Sequence, residues 1–251
     1  MRVLDSPRTL AAVLVAFVTV ATCAHADPKA AKSFPDFASR KPSLPPVTLL
    51  CGSYLWLAAK GDIEGAKLDQ TMPVGPQVMS RMKKTLEGKG YQLRNSVFVS
   101  SGQTPNPDGD TTGVFLPPFY RDTTVFRHPA ITGAWESLLS RLAFYNREPR
   151  ESPAYFTEPI LLCDSLGGSV MAILVVKYYR PTSRETREAR RRWNPWWGLV
   201  PDLPGPRTSV QLTLADGKSG EVLWNDLQLK AGPYKRKTLD ELMARILENL
   251  P

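Results

Sequence analysis

The run from Gly168 to Tyr179, GSVMAILVVKYY, constrains this chain more than any other stretch. Apolar, largely β-branched residues fill both alternating faces, so it reads as a strand in the middle of a sheet. Other strands follow from the same pattern. Val47 to Leu57, VTLLCGSYLWL, is a β-type run, and residues 91–100, YQLRNSVFVS, form a second. Val210–Leu214 and Val222–Leu229 make a hairpin. Between these lie helical patterns. Val78, Met79, Met82 and Leu86 recur at helical spacing, Pro76 suits the first turn, and Gly88 and Gly90 stop the helix. Trp135, Leu138, Leu139 and Leu142 mark another. At the end, Thr238-Leu-Asp-Glu241 reads as a capping box, followed by the stripe Leu239, Leu242, Met243, Ile246, Leu247 and Leu250. The order β-α-β-α-β-β-β-α predicts an α/β (α+β) fold. It has a mixed β-sheet with helices packed on it, a long C-terminal hairpin and a final amphipathic helix.

The amino terminus reads as a targeting signal. Arg2 and Arg8 precede the apolar run TLAAVLVAFVTV, which is too short to span a bilayer as a mature helix. Two processing readings compete. Ala24-His25-Ala26 fits the small-x-small rule, giving a signal peptide over 1–26 and a mature chain from Asp27. Val20-Ala21-Thr22-Cys23 resembles a lipobox, which would end the signal at residue 22 and lipidate Cys23. Thr22 departs from the usual small residue there. Either way the chain is exported to the periplasm, with outer-membrane anchoring if Cys23 is acylated. Residues 27–46 are polar and proline-punctuated and read as linker. Residues 47–251 read as one α/β domain with insertions at 101–130 and 180–207. An oxidising compartment permits a disulfide between Cys51 and Cys163; two buried free thiols are the alternative, since both sit in apolar surroundings.

One short motif bears on enzymatic function. Gly217-Lys218-Ser219 matches the end of a phosphate-binding loop. Such a loop needs a glycine five residues before the Gly-Lys pair and a helix after it. Leu212 holds the first position and the strand pattern GEVLW follows, so both requirements fail. Asp216-Gly217 and Ser219-Gly220 are turn pairs that supply positive φ, with Lys218 and Glu221 solvated.

Other catalytic chemistry is sparse. His25 lies in the signal, which leaves His128 as the folded part's histidine. There is no paired-histidine or Cys-x-x-Cys metal motif. No cofactor, metal site or catalytic residue is expected. A carboxylate-dependent hydrolase is the rival reading, using Asp108, Asp110 and Asp122 in loop 101–130. NPDGDTTG nevertheless lacks the distal glutamate of a calcium loop, and a polar loop explains it.

The segment 180–205 carries six arginines between 180 and 192 within a net charge of +8. Arg190, Arg191 and Arg192 run directly into Trp193, Trp196 and Trp197. Arginine beside tryptophan suits an anionic bilayer interface or a nucleic acid, and export removes the nucleic acid. The alternative is a solvated connection in which Glu188 pairs with Arg191 or Arg192. Lipid or peptide binding through 180–197 therefore stands beside it.

With these motifs in hand, a resemblance emerges. GGSVMAILVVKYY, SVQLTLADGKSGEVLWND and LDELMARILENLP resemble bacterial envelope lipoproteins related to the curli-secretion protein CsgG and the amino-terminal domain of TolB. The match falls at Asp216, Gly220, Glu221 and Trp224, on a turn of the pattern Asp-x-x-(Thr/Ser)-Gly-Glu-Val-Leu-Trp. Ala215 departs from the family's usual residue. The resemblance implies a non-enzymatic assembly or secretion accessory at the outer membrane. Its partners would be other envelope proteins or further copies of itself. RRRWNPWW lacks the alternation of a membrane hairpin, so pore formation is not implied.

Overall fold

The computed structural model describes residues 32–33, 36–57, 74–105, 120–122, 125–145, 154–179, 187, 190–191, 206–232 and 235–251. Its centre is a mixed sheet of order β1-β7-β6-β5-β2-β3-β4. The long strands are β2 (Val47–Leu57), β3 (Leu93–Pro105), β5 (Val170–Tyr179), β6 (Arg207–Asp216) and β7 (Val222–Ala231). Two-residue strands, β1 (Lys32–Ser33) and β4 (Tyr120–Arg121), lie at the margins. Five helices lie wholly among the described residues: α1 (Phe37–Arg40), α2 (Val74–Gly88), α3 (Pro129–Tyr145), α4 (Glu158–Leu166) and α5 (Arg236–Asn249). This is the mixed α/β architecture expected from the sequence.

β5 sits at the centre, parallel to β2 and antiparallel to β6. Its alternation explains the apolar run. Val170, Ala172, Leu174 and Val176 point into one core with α2 and α5; Met171, Ile173 and Val175 point into another with α3 and α4. Buried on both sides, the strand needs no polar face. Each large side chain so buried contributes about 1.5–3 kcal/mol.

Register gives the sheet two distinct ends. At one, Val47 pairs with Leu93 and Val170, and Val170 with Asp216. At the other, Trp56 pairs with Tyr179, Tyr179 with Arg207, and Arg207 with Ala231. At about 3.3 Å per residue the ten-residue strands hold these ends roughly 30 Å apart. The first end carries the β6–β7 turn and is called the turn end. The second is where the segments after β2, β3 and β5 depart, and is called the open end.

Several expectations change. The linker expected over 27–46 contributes to the fold: β1 pairs antiparallel with β7, and Phe37 is 1% exposed within the α2/α5 core. A large aromatic at the first turn of α1 has a core to enter, which outweighs the polar, proline-rich composition around it. The loop expected over 101–130 begins as strand, since β3 continues to Pro105, and ends inside α3. Helix α4 was not anticipated. Its signals are Pro159 in the first turn and Gly167, which takes φ +70° just past the end while its N–H donates to the Cys163 carbonyl. The capping box at Thr238 is not formed. α5 already starts at Arg236, after an extended Lys235 with no side-chain cap, and Glu241 is taken by Lys230.

Candidate functional site

The turn between β6 and β7 is built by Asp216. Its Oδ1 accepts the N–H groups of Lys218 at 2.8 Å and Ser219 at 2.7 Å, and the Ser219 hydroxyl at 3.0 Å. An Asx-type turn of this kind closes a hairpin and leaves no N–H aimed at a phosphate. The two glycines act differently. Gly220 has φ +74°, as the turn-pair reading requires, and a Cβ there would sit 2.0 Å from the Phe156 carbonyl oxygen. Gly217 is absent from the positive-φ glycines. It is needed for space: a Cβ would lie 2.3 Å from Cys163 Sγ and 2.9 Å from the Ser169 oxygen.

Neighbouring segments clamp this turn. Phe156 N–H donates to the Gly220 carbonyl, Val222 N–H to Ala154, and Gly217 N–H to Ser169. Arg40 from α1 donates to Glu221 at 3.0 Å and reaches Asp36 at 2.7 Å. Arg40 is raised above its ordinary pKa chiefly by the Glu221 hydrogen bond. Lys218 is exposed as expected, whereas Glu221 is mostly buried and paired instead of solvated. Trp224 is fully buried, and its indole N–H has no hydrogen-bond partner. The residues of the family-like turn thus hold the fold together at this end.

The cysteines separate. Cys51 belongs to the α2/α5 core and Cys163 to the α3/α4 core, on opposite faces of the sheet, and both are free. The disulfide considered from sequence is therefore not made. Burial pushes the Cys51 thiol well above its ordinary pKa. It raises Cys163 to about 11, with Asp216 and Asp164 adding to the effect.

At the open end the described residues are basic. Arg207, Lys235, Arg236 and Lys237 are exposed where β6 begins and where β7 passes into α5. Arg190 and Arg191 are helical and exposed. Arg192, Trp193, Trp196 and Trp197 lie outside the described residues, as do Cys23, Asp108 and Asp110. Asp122 accepts the Val125 N–H at 3.3 Å in a local turn. His128 is exposed, and its carbonyl accepts the first N–H groups of α3. Among the described residues no group of three His, Cys, Asp or Glu side chains is placed to hold a metal ion. None of the described helices is long and apolar enough to cross a membrane.

The sequence reading missed the basic cluster and Arg40. One signal was present: Lys235-Arg236-Lys237 is a cationic run at a helix start, where the dipole favours acids. The link from Arg40 to Glu221 gave no local signal, because the two are 181 positions apart.

No family model matches the chain, and no curated protein matches it. The CsgG/TolB resemblance therefore has no support beyond the turn residues. Among solved structures the chain has similarity at low identity and low TM-score to the following two. PelC from Paraburkholderia phytofirmans, solved as a dodecamer, has TM-score 0.32 and 11% identity, covering 81% of this chain and 86% of its own. The lipoprotein GNA1162 from Neisseria meningitidis has TM-score 0.29 and 11% identity, covering 81% of this chain and 95% of its own.

Proposed function

We propose that this chain is an exported envelope lipoprotein without enzymatic activity, anchored through Cys23 at the outer membrane. Its work is binding: to other envelope components, to further copies of itself, or to the membrane through Arg190–Trp197. The supporting observation is how the start of the chain meets the fold. The stretch after the leader enters the sheet as β1, buries Phe37 and places Arg40 on Glu221. A domain whose anchor-side segment is part of its own sheet is held close to whatever holds that segment. The residues of the family-like turn are spent on packing and turn geometry, which suits a scaffold.

The test is an intact-mass measurement on protein purified from membranes of the native host. The expected result is a chain starting at Cys23 with a diacyl or triacyl increment. An unmodified chain starting at Asp27 would overturn the anchor and leave a periplasmic domain whose membrane contact rests on the Arg/Trp segment.

A further inference from the structure

The direction of β1 decides which end of the sheet faces the membrane. β1 is antiparallel to β7, with Lys32 opposite Asn225 and Ser33 opposite Trp224. β7 runs from the turn end to the open end, so the chain in β1 travels toward the turn end. The Lys32 end of β1 therefore faces the open end. Only six residues of β7 separate Asn225 from Ala231, about 20 Å. Nine residues separate Cys23 from Lys32, enough for about 30 Å. The tether is long enough to bring Cys23 to the open end.

That end also has the charge for a lipid surface. Arg207, Lys235, Arg236 and Lys237 are all exposed there. The nearby acid Glu241 is committed to Lys230, and Asp240 to Arg81. A helix that starts with two basic positions after a basic N-cap residue, and with no side-chain cap, breaks the local electrostatic rule. Such breaks concentrate where a surface has another use. Leu229, 41% exposed and two residues before Ala231, adds an exposed apolar side chain toward the same end of the sheet. At the turn end some cations are matched: Arg40 lies between Asp36 and Glu221, and the Lys89 ammonium donates to the Leu250 carbonyl, while Lys218 and Arg94 are exposed but do not form a consecutive run.

We propose that the open end, through Arg207, Lys235, Arg236 and Lys237, docks on an anionic lipid surface, the end toward which the first residue of β1 faces. The proposal rests on the export and anchoring reading above and adds an orientation to it. One acyl chain holds a protein only marginally, and stable attachment takes a second signal such as a basic patch. Each basic side chain held at an anionic surface strengthens partitioning about fivefold. Four together are worth roughly six hundredfold if they add.

The experiment uses the full-length chain carrying Cys23→Ser, exported by its own leader and purified without lipid. Sedimentation with vesicles of phosphatidylethanolamine alone is compared with vesicles that also contain phosphatidylglycerol. Binding is expected only to the second, and is expected to fade with added salt. The variant R207Q/K235Q/R236Q/K237Q should lose roughly several hundredfold in partitioning with its melting temperature unchanged. A control, K83Q/K84Q/K218Q, removes exposed cations elsewhere and should bind as the parent does. Equal binding to both vesicle types, or full binding by the quadruple variant, overturns the proposal. Tether direction is read separately from spin labels, with Asp27→Cys paired in turn with Lys237→Cys and Lys218→Cys. The Lys237 pair should give the shorter distance, and the reverse order overturns the orientation. Absence of an acyl group on the native protein refutes the anchor alone, since the vesicle and spin-label results do not depend on it.

Discussion

The two ends of the sheet are made by opposite uses of the same residue types. At the turn end, much of the charge is consumed internally: Asp216 holds backbone N–H groups, Glu221 holds Arg40, and Lys89 holds a carbonyl, with Lys218 left exposed at the tip. At the open end, Arg207 and Lys235 to Lys237 face solvent. A charge satisfied within the fold contributes to its rigidity, while one left exposed is available to a partner. The comparison links stability to the turn end, and the docking proposed above to the open end.

The sharpest way to break it is to damage each end and measure unfolding. Trp224→Ala removes a fully buried indole from the α2/α5 core and should cost about 3–5 kcal/mol, read from the urea midpoint. The orphaned indole N–H places the expectation at the lower end of that range. Arg207→Gln at the open end should stay within about 0.5 kcal/mol of the parent. Comparable losses from the two substitutions would end the division.

Glycine substitutions sharpen it further. Gly217→Ala meets Cys163 and the Ser169 carbonyl, and Gly220→Ala meets both a positive φ and the Phe156 carbonyl. Each should cost on the order of 1–3 kcal/mol. Gly232, at the open end, has φ +129° with nothing near its would-be Cβ. Only the backbone resists there, so Gly232→Ala should cost less than Gly220→Ala in the same thermal melts.

How much of this was legible in the sequence follows from the range of each interaction. β5 was legible because burial on both faces writes itself into every residue from Val170 to Val176. α2 and α5 were legible because their apolar stripes repeat at helical spacing. The turn was legible in part: Gly220 needs positive φ, a local property, but Gly217 needs room for Cys163, which only the packed α4 reveals. Phe37 was hidden because one aromatic in a polar stretch carries no period. The open-end cluster was half legible, since Lys235-Arg236-Lys237 is visible as a run while Arg207 joins it only through the β6–β7 register. The split of Cys51 and Cys163 onto two faces depends on strand and helix placement that spacing does not encode.

Between the two ends, Asp226 supplies a pH-dependent link. It is buried on β7 and accepts from Gln228 at 2.9 and 3.0 Å and from Asn249 of α5 at 2.9 Å. Burial raises its pKa above 3.8, with the hydrogen bonds from Asn249, Gln228 and the Leu227 backbone opposing. The folded state then holds its proton more tightly than the unfolded chain. Stability should fall as pH rises from the ordinary aspartate value to the raised one, and stay level above it. Asp226→Asn should remove that decline from denaturant midpoints taken across the acid range. An unaltered decline would assign it to another group.

The smallest effect is a rate, and it compares the ends without disturbing either. Cys163 is packed behind Gly217, with its thiol raised to about 11, so little thiolate exists at neutral pH and little of it is reachable. Cys51 is fully buried in the other core. In the Cys23→Ser chain, neither should react with a maleimide while the protein is folded, and both should react once it is unfolded without reductant. A cysteine placed at the open end, Arg207→Cys, should react at the rate of a free thiol. Since labelling of Cys163 requires the turn to lift from α4, its rate reports opening of the turn end. The Gly217→Ala variant, which crowds Cys163, should raise that rate and leave residue 207 unchanged. If Cys163 already labels as fast as residue 207 in the parent protein, the turn end is not closed, and rigidity cannot be what distinguishes it from the open end.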